Sequence, residues 1–153
     1  MNGITVREIK EINPSLVAQL INIEENAFGN NGLHNEWLMI PMLRYGRVFI
    51  AELNKNAVGS AQLMRDWEDK NTAYFYGISI APPYRGQGIG SYFMTEILTA
   101  LKKSDFKKLT LTVSPHNHGA IHIYQDKLGF QKINYYEKEY GPKEDRISME
   151  LLL

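Results

Sequence analysis

The sequence predicts an α/β fold of the α+β kind, in which a mixed central sheet carries helices on both faces. Apolar residues alternate with period 2 in some stretches and recur at helical spacing in others, in the order β-α-α-β-β-β-α-β-α-β-β. Two consecutive strands joined by a short polar turn predict an antiparallel hairpin. The β-α-β units that follow favour parallel neighbours, so a sheet of about seven strands should contain both directions.

The N-terminal part of the chain alternates strand and helix signals. Residues 4–7 alternate in polarity and predict the first strand. Asn13 and Pro14 mark a helix start, because proline is tolerated at the first helical position, and the apolar face continues to Phe28. A shorter helix is predicted over residues 35–44, where Pro41 should bend or end it.

The central part of the chain consists of strands. Arg47–Leu53 and residues 58–65 form the predicted hairpin, and the polar segment 54–56 has the composition of its turn. Residues 66–71 are polar and predict a loop. Thr72–Ile80 is the next strand, because Tyr74, Tyr76 and Ile78 recur there at every second position.

The C-terminal part returns to alternating helices and strands. Apolar residues recur at helical spacing from Ile89 to Leu101 and predict a helix. Residues 109–113 form a period-2 strand, followed by a helix that begins at residue 117 or 118 and ends at a Gly129 C-cap. Two more strands, 130–136 and 147–153, flank a turn at Gly141 and Pro142. With no linker or repeat, residues 1–153 are predicted to be a single domain.

The composition excludes several classes of function. Lys plus Arg and Asp plus Glu both count 17, so no net charge favours nucleic acid or a membrane surface as a partner. The absence of cysteine excludes disulfides and a thiolate nucleophile. His118 and His122 stand four residues apart, but no third ligand is evident, so no metal is expected. Without a signal peptide or a bilayer-spanning run of about 20 apolar residues, a cytoplasmic location is expected.

A glycine-rich segment at residues 85–90 predicts an anion site, because it joins a strand to the start of a helix. Glycine lets the backbone approach a ligand closely, and the first N–H groups of a helix attract negative charge. A dinucleotide fingerprint would require glycine at Ser91 or Phe93, and a P-loop would require a lysine after the glycines. Both of those nucleotide motifs are therefore excluded.

Two motifs carry a resemblance to a known family. Arg85-x-x-Gly88-x-Gly90 resembles the acetyl-CoA pyrophosphate loop of the GNAT acyltransferase superfamily. The second motif is similar to the family's segment after the following strand and consists of Asn117, Ala120, Tyr124, Leu128, Gly129 and Phe130. The resemblance spans about residues 4–153 and is to ribosomal-protein and N-terminal acetyltransferases in particular.

The resemblance implies the GNAT fold, with a mostly antiparallel sheet and a splay between the fourth and fifth strands. It also implies acetyl-CoA as co-substrate, its pantetheine paired with the end of the fourth strand and its pyrophosphate held by the loop. The implied cofactor-binding residues are Ile78, Ser79, Ile80, Arg85, Gly86, Gln87, Gly88, Ile89, Gly90, Ser91, Asn117 and Tyr124.

The resemblance assigns a general acid but leaves the base open. Tyr124 would protonate the leaving thiolate, since a phenol is protonated at neutral pH. Thr112 stands five residues before Asn117, where the family's catalytic glutamate stands, and cannot act as a base. The remaining candidates for the base are Glu24, Glu25, His116, His118 or a backbone-held water.

The implied function is an N-acetyltransferase that moves an acetyl group to a primary amine by direct attack in a ternary complex. The acceptor could be a peptide N-terminus, a lysine or a small-molecule amine, and residues 24–37 and 135–145 would bind it. The alternatives are a non-catalytic acyl-CoA-binding or regulatory module on the same fold, or an unrelated phosphate binder. The sequence leaves open the length of the acyl chain and the choice between monomer and homodimer.

Overall fold

The computed structural model describes residues 3–153, and its strands form a seven-stranded sheet. The strands are β1 Ile4–Glu8, β2 Arg47–Leu53, β3 Asn56–Arg65, β4 Thr72–Ile80, β5 Lys108–Val113, β6 Gln131–Tyr136 and β7 Arg146–Leu152. Their order in the sheet is β1-β2-β3-β4-β5-β7-β6. β4 and β5 run parallel, whereas β1–β2, β2–β3, β5–β7 and β6–β7 are antiparallel pairs. The predicted mixed, mostly antiparallel sheet is confirmed.

Helices form where the predicted caps place them. The helices are α1 Pro14–Phe28, α2 Glu36–Tyr45, α3 Ile89–Lys102 and α4 His118–His122. Asparagine side chains cap three of them, because Asn13, Asn35 and Asn117 each accept a hydrogen bond from a backbone N–H of the first turn. α1 also has its proline in the first turn, as the sequence predicts.

Pro41 was expected to bend or end α2, and it lies inside the helix. α2 continues through this residue to Tyr45, so the prediction that Pro41 would end the helix is wrong. A proline inside a helix costs about 3 kcal/mol, through a lost hydrogen bond and a clash. Met39 and Met42 flank Pro41 and are 0% and 8% exposed, so burial of the apolar face offsets this cost.

The helical segment after β5 changes its winding halfway. α4 passes at Ile123 into a π-helical turn, Ile123–Lys127, in which the Leu128 N–H donates to the Ile123 carbonyl at 3.1 Å. The C-cap is Leu128, one residue before the predicted Gly129, and Gly129 follows it with a left-handed φ of 80°, as is common just after a helix end. The length of this helical segment is therefore as predicted to within one residue. The π-helical winding of its second half was not predicted.

The residues group into two compact units. The first comprises the chain up to Met64 together with Gly77–Thr99. Its helices α1 and α2 and strand β2 share an apolar core. That core consists of Ile9, Val17, Leu20, Leu33, Met39, Met42, Val48 and Ile50.

The second unit comprises Arg65–Tyr76 and Ala100–Leu153. β5 pairs with β7 along its whole length, from Lys108↔Leu152 to Val113↔Ile147. The parallel pairing of β5 with β4 is shorter, since it begins at Thr72↔Lys108 and ends at Phe75↔Leu111. β4 therefore extends past its paired segment, which confirms the predicted splay between the fourth and fifth strands.

Candidate active site

The first part of the site is the glycine-rich loop between β4 and α3, which lies in the first unit. After a single helical turn at Pro82–Tyr84, Gly86 and Gly88 adopt left-handed φ angles of 72° and 78°. Such angles favour glycine, and a Cβ on Gly86 would meet no atom within 4 Å. α3 begins directly afterwards at Ile89, and the first N–H groups of a helix have no partner within it. The loop can therefore offer N–H donors to an anion.

Arg85 shapes this loop through hydrogen bonds to protein carbonyls. Its Nε donates to the Ile80 carbonyl at 2.7 Å, and its Nη2 donates to the Asn26 carbonyl at 3.2 Å. The Arg85 N–H donates to the Pro82 carbonyl at 3.3 Å. Gln87 adds a further link, from its Nε2 to the Pro83 carbonyl at 3.0 Å. These hydrogen bonds fix the conformation of the loop. They leave the backbone of its glycines accessible to a ligand.

The end of β4 forms the second part of the site. Ser79 is buried, whereas Ile78 and Ile80 are half-buried. β3 approaches this end closely, because a Cβ on Gly59 would lie 2.7 Å from Ile80 Cδ1 and 3.2 Å from the Ser79 carbonyl oxygen. The glycine inside β3 is therefore required by the close approach of the two strands.

A buried polar cluster lies against the end of β4 and includes one candidate base. It consists of Glu24, Ser60, Gln62 and Ser79, each at most 3% exposed. Glu24 Oε1 accepts from Ser79 Oγ and, at 3.0 Å, from Gln62 Nε2, which also donates to Ser60 Oγ. Glu24 Oε2 and Gln62 Oε1 are buried without a hydrogen-bond partner among the described residues. A carboxylate this far from water depends on its donors, so the cluster holds Glu24 in place.

Sequence reasoning missed the β3 members of this cluster. Ser60 and Gln62 stand two residues apart and so share one face of β3, which is buried on that side. Two polar residues on the buried face of a strand were the available signal. Their partner Glu24 lies 38 positions from Gln62, so only the fold brings the two side chains together.

The second unit has its own group of candidate residues, around α4 and the turn that follows. Asn117 Oδ1 caps the helix by accepting from the Ala120 N–H at 3.1 Å, which leaves its Nδ2 as the free donor. Tyr124 lies on the π-helical turn, with its ring centroid 5.7 Å from that of Phe130. Burial raises the pKa of Tyr124 to about 12. Its hydroxyl therefore remains protonated at neutral pH and can donate.

A cluster of three hydroxyl groups in the second unit was not predicted. The Tyr74 hydroxyl lies 3.1 Å from Thr112 Oγ1 and 3.3 Å from the Tyr140 hydroxyl, and the Thr112 and Tyr140 oxygens are 3.4 Å apart. Burial, the largest cause, raises the pKa of Tyr74 well above its usual value. Arg146 packs over the Tyr140 ring at 4.2 Å from its centroid. One member of the cluster, Thr112, is the residue that stands where the family has its catalytic glutamate.

The candidate bases differ in exposure. Glu25, His116 and His118 are exposed, in contrast to the buried Glu24. His116 lies near Asp145, whose pKa is lowered by hydrogen bonds from the Tyr135 hydroxyl and the Lys138 N–H and, to a smaller extent, by His116. The second unit therefore places an exposed imidazole near a carboxylate that is ionised at neutral pH.

Residues 3–153 contain neither a cluster of metal-ligating side chains nor a membrane-spanning helix. No group of three or more His, Cys, Asp or Glu side chains there is arranged to hold a metal ion. No helix in the same range is long and apolar enough to cross a membrane.

Solved acetyltransferase structures share this fold. Ard1 from Thermoplasma volcanium superposes with a TM-score of 0.83 at 17% identity, covering 99% of this chain and 98% of its own. A GNAT family acetyltransferase from Elizabethkingia anophelis, solved with acetyl-CoA bound, gives 0.78 at 20% identity over the whole of both chains. The fold is therefore that of the acetyltransferases.

Sequence comparison identifies the family. The model of the acetyltransferase (GNAT) family matches residues 17–130, and the chain belongs to this family of N-acetyltransferases. Acetyl-CoA is the typical co-substrate of its members. The resemblance drawn from the two motifs is thereby confirmed.

Relatives with higher identity are named as N-acetyltransferases. A putative [ribosomal protein bS18]-alanine N-acetyltransferase of Bacillus subtilis is 34% identical over 128 residues, 78% of this chain and 80% of that protein. N-alpha-acetyltransferase 50 of Danio rerio is 28% identical over 138 residues, 86% of this chain and 80% of that protein. An uncharacterized N-acetyltransferase of Methanocaldococcus jannaschii is 31% identical over 88 residues, only 38% of its own length.

Proposed function

We propose that the protein transfers the acetyl group of acetyl-CoA to the α-amino group of a protein or peptide, by direct attack in a ternary complex. The observation that carries the proposal is the end of β4, which extends past its pairing with β5 and leads into the loop of Gly86 and Gly88. Relatives named for acetylating protein N-termini support this choice of acceptor over lysines and small amines.

Backbone groups of the first unit would bind the cofactor. The N–H groups from Gly86 to Ser91 would hold the pyrophosphate. The Ile78–Ile80 segment would pair with the pantetheine amides, although Arg85 already occupies the Ile80 carbonyl. An N–H near Ser79 and Ile80 would polarise the thioester carbonyl as charge develops on its oxygen. In the second unit, Asn117 would bond to the pantetheine through its free Nδ2.

Tyr124 is the proposed general acid. The amine attacks the thioester carbon, the C–N bond forms, and the C–S bond breaks to release the thiolate of CoA. A thiol ordinarily titrates near pH 8.5, about 3.5 pKa units below Tyr124, so complete proton transfer to the thiolate would be uphill. Tyr124 would therefore stabilise the departing sulfur mainly as a hydrogen-bond donor, and water would complete its protonation.

The proton released by the amine has no strong base to receive it. An α-amino group titrates near pH 7.7 to 8.0, so roughly a quarter of it is neutral at physiological pH, whereas a lysine is neutral in only about 0.1%. A site with Thr112 in place of a carboxylate therefore suits an α-amine. A water relay ending at His116 or Glu25, both exposed, would carry the proton to solvent.

The β6–β7 hairpin of the second unit is the proposed acceptor surface. Tyr135, Tyr136 and Tyr140 are exposed there among acidic residues. Aromatic rings can pack against the first side chains of a peptide, and nearby carboxylates attract its amine. The alternative remains a non-catalytic acyl-CoA-binding module, which the absence of a carboxylate at Thr112 favours.

Release of free thiol from acetyl-CoA tests the proposal. The protein is mixed with acetyl-CoA and with peptides of varied N-terminus, lysine analogues and small amines. Turnover with free N-terminal peptides but not with N-terminally blocked ones supports the proposal. Micromolar CoA binding without turnover on any amine supports the non-catalytic module, and the absence of CoA binding contradicts both.

The substitution Tyr124→Phe tests the proposed acid. Loss of the hydroxyl should lower kcat by roughly 10- to 100-fold, because the departing sulfur loses its donor. The dissociation constant of acetyl-CoA should change by less than about threefold, since the interaction develops only in the transition state. Steady-state kinetics and titration calorimetry measure the two effects. An unchanged kcat would show that Tyr124 is not the acid.

A further inference from the structure

Two polar links join the last turns of α1 to the end of β4, both within the first unit. In the first, Glu24 Oε1 accepts from Ser79 Oγ. In the second, Arg85 donates to the carbonyls of Asn26 at 3.2 Å and Ile80 at 2.7 Å. We call the five residues Glu24, Asn26, Ser79, Ile80 and Arg85 the α1–β4 clamp.

The clamp acts on a strand segment that has one neighbouring strand fewer than residues 72–75, the first part of β4. Pairing with β5 ends at Phe75, so Ser79 and Ile80 have no hydrogen bonds in that ladder. β3 lies on the other side of this segment: Gly59 approaches Ser79 and Ile80 closely, and the N–H of the next residue, Ala81, donates to the Val58 carbonyl at 2.9 Å. A strand end held from one side has more local freedom. The links to α1 restrict this freedom from outside the sheet.

The two links reinforce each other because their residues are adjacent. Glu24 and Asn26 lie two positions apart in α1, and Ser79 and Ile80 are consecutive in β4. The last turn of α1 contains no basic residue, so Arg85 also supplies the positive charge that a helix C-terminus favours. The glycine-rich loop is thereby tied to the helix that carries Glu24.

We infer that Glu24 is a positioning residue: through the α1–β4 clamp its carboxylate holds Ser79 and Ile80 in place, and it takes no proton from the amine. Its side chain is 1% exposed, and its Oε1 is occupied by two donors. Its Oε2 has no hydrogen-bond partner among the described residues but is buried as well, so the amine has no solvent-accessible carboxylate oxygen to give its proton to. The inference rests on the proposed function, because Ser79 and Ile80 matter there as the segment that polarises the thioester.

Loosening the clamp should therefore affect the chemical step more than cofactor affinity. A donor aimed at a developing oxyanion loses most of its effect when it is displaced, whereas ground-state binding depends little on it. The N–H groups of the loop from Gly86 to Ser91 would still hold the pyrophosphate. A fall in kcat at a nearly unchanged acetyl-CoA dissociation constant is the expected signature.

Comparison of Glu24→Gln with Glu24→Ala separates positioning from base catalysis. Glutamine keeps an oxygen that accepts from Ser79 and Gln62 but cannot take a proton, whereas alanine removes both properties. We expect Glu24→Gln to keep kcat within about threefold with the wild-type pH profile, and Glu24→Ala to lose at least about tenfold. Glu52→Gln, which weakens the surface pair with Arg7, is the matched control and should change neither.

Two results would overturn the inference. If Glu24→Gln lost as much kcat as Glu24→Ala and flattened the pH profile, Glu24 would be the base. If Glu24→Ala retained wild-type kcat, the clamp would have no role in the reaction. Should Glu24→Ala fail to fold, Ser79→Ala replaces it, because this variant removes the same hydrogen bond and leaves the carboxylate its Gln62 donor. It should lower kcat by a similar factor.

Hydrogen exchange tests the clamp without turnover. Amides of residues 77–81 should exchange at least about tenfold faster in Ser79→Ala than in the wild type, beyond any change in the rest of the first unit. Unchanged exchange there contradicts the inference even if acetylation is observed. Faster exchange in a protein that acetylates no amine would support the clamp and reject the proposed function, so the two failures are distinguishable.

Discussion

Several candidate site residues of this protein make their contacts with side chains that are distant in the sequence. Tyr74 and Thr112 are 38 positions apart, yet their hydroxyl oxygens lie 3.1 Å apart. Thr112 was identified from the sequence only as a replacement for a glutamate. Within residues 3–153 its hydroxyl contacts two phenols and no carboxylate, and for this reason we assign the proton of the amine to water.

Tyr135 and Asp145 provide a prediction at the residue scale. The Tyr135 hydroxyl donates to Asp145 Oδ2, and this bond is the largest cause of the lowered pKa of Asp145. Tyr135→Phe should therefore raise that pKa toward the ordinary value for aspartate. Carboxyl chemical shifts followed by NMR across an acid titration measure the change.

Tyr136→Phe is the matched control for that titration. The Tyr136 hydroxyl accepts from Asn134 Nδ2 at 3.2 Å and is not among the causes of the Asp145 shift. Removing it should leave the titration of Asp145 unchanged. Equal shifts in both variants would show that the Tyr135 hydrogen bond is not the cause.

At the scale of elements, two glycines of one helical segment should respond in opposite directions to alanine. Gly129 has a φ of 80°, which strains any residue with a Cβ, although the nearest atom would be 4.0 Å away. Gly119 lies inside α4 with a φ outside the left-handed region. Gly129→Ala should lower the free energy of unfolding by about 1 kcal/mol, and Gly119→Ala should raise it by up to about 1 kcal/mol.

Urea unfolding of both variants measures these changes against the wild type. The two substitutions add the same methyl group, so the volume added is equal and only the backbone conformation differs. If both variants lost a similar amount of stability, the conformational explanation would be contradicted.

Asn117 combines a structural role with a proposed binding role, and two substitutions separate them. Asn117→Asp keeps an oxygen that caps α4 but removes the Nδ2 donor, whereas Asn117→Ala removes both. We expect the alanine variant to lose about 1 kcal/mol of stability and the aspartate variant to lose much less. Both should bind CoA more weakly, as measured by calorimetry. Wild-type CoA affinity in Asn117→Asp would exclude the binding role.

At the scale of the whole molecule, two tyrosines should make stability depend on pH under alkaline conditions. Burial raises the pKa of Tyr124 to about 12 and that of Tyr74 above its ordinary value. An unfolded tyrosine loses its proton near pH 10, so the stability these groups contribute is full below that pH. It is lost as pH rises from about 10 toward 12, because only the unfolded state then releases the protons.

Unfolding midpoints in urea between pH 8 and 12 measure this loss. Tyr124→Phe should reduce the decline by at most about 2 to 3 kcal/mol, since phenylalanine has no proton to release. Tyr84→Phe serves as the comparison, because Tyr84 is not one of the two tyrosines, Tyr74 and Tyr124, whose pKa is raised mainly by burial. An identical decline in the wild type and in Tyr124→Phe would contradict the assignment.

The sequence by itself determined the order of the elements and the two motifs that identify the family. These features depend on local rules: period-2 and helical spacing, caps at Asn13 and Asn117, and glycines at residues 86, 88 and 129 where φ is positive. Helix starts, turns and a phosphate loop use neighbouring residues, so one stretch of sequence contains the whole signal. The family resemblance draws on the same short motifs.

Only the tertiary structure decided what each reactive group contacts. Glu24 was one of several equivalent candidates until the fold enclosed it with Ser60, Gln62 and Ser79. Pro41 continues a helix that local rules would end, because the methionines beside it are buried. In both cases the deciding energy comes from residues distant in sequence, through burial and hydrogen bonds that no local pattern encodes.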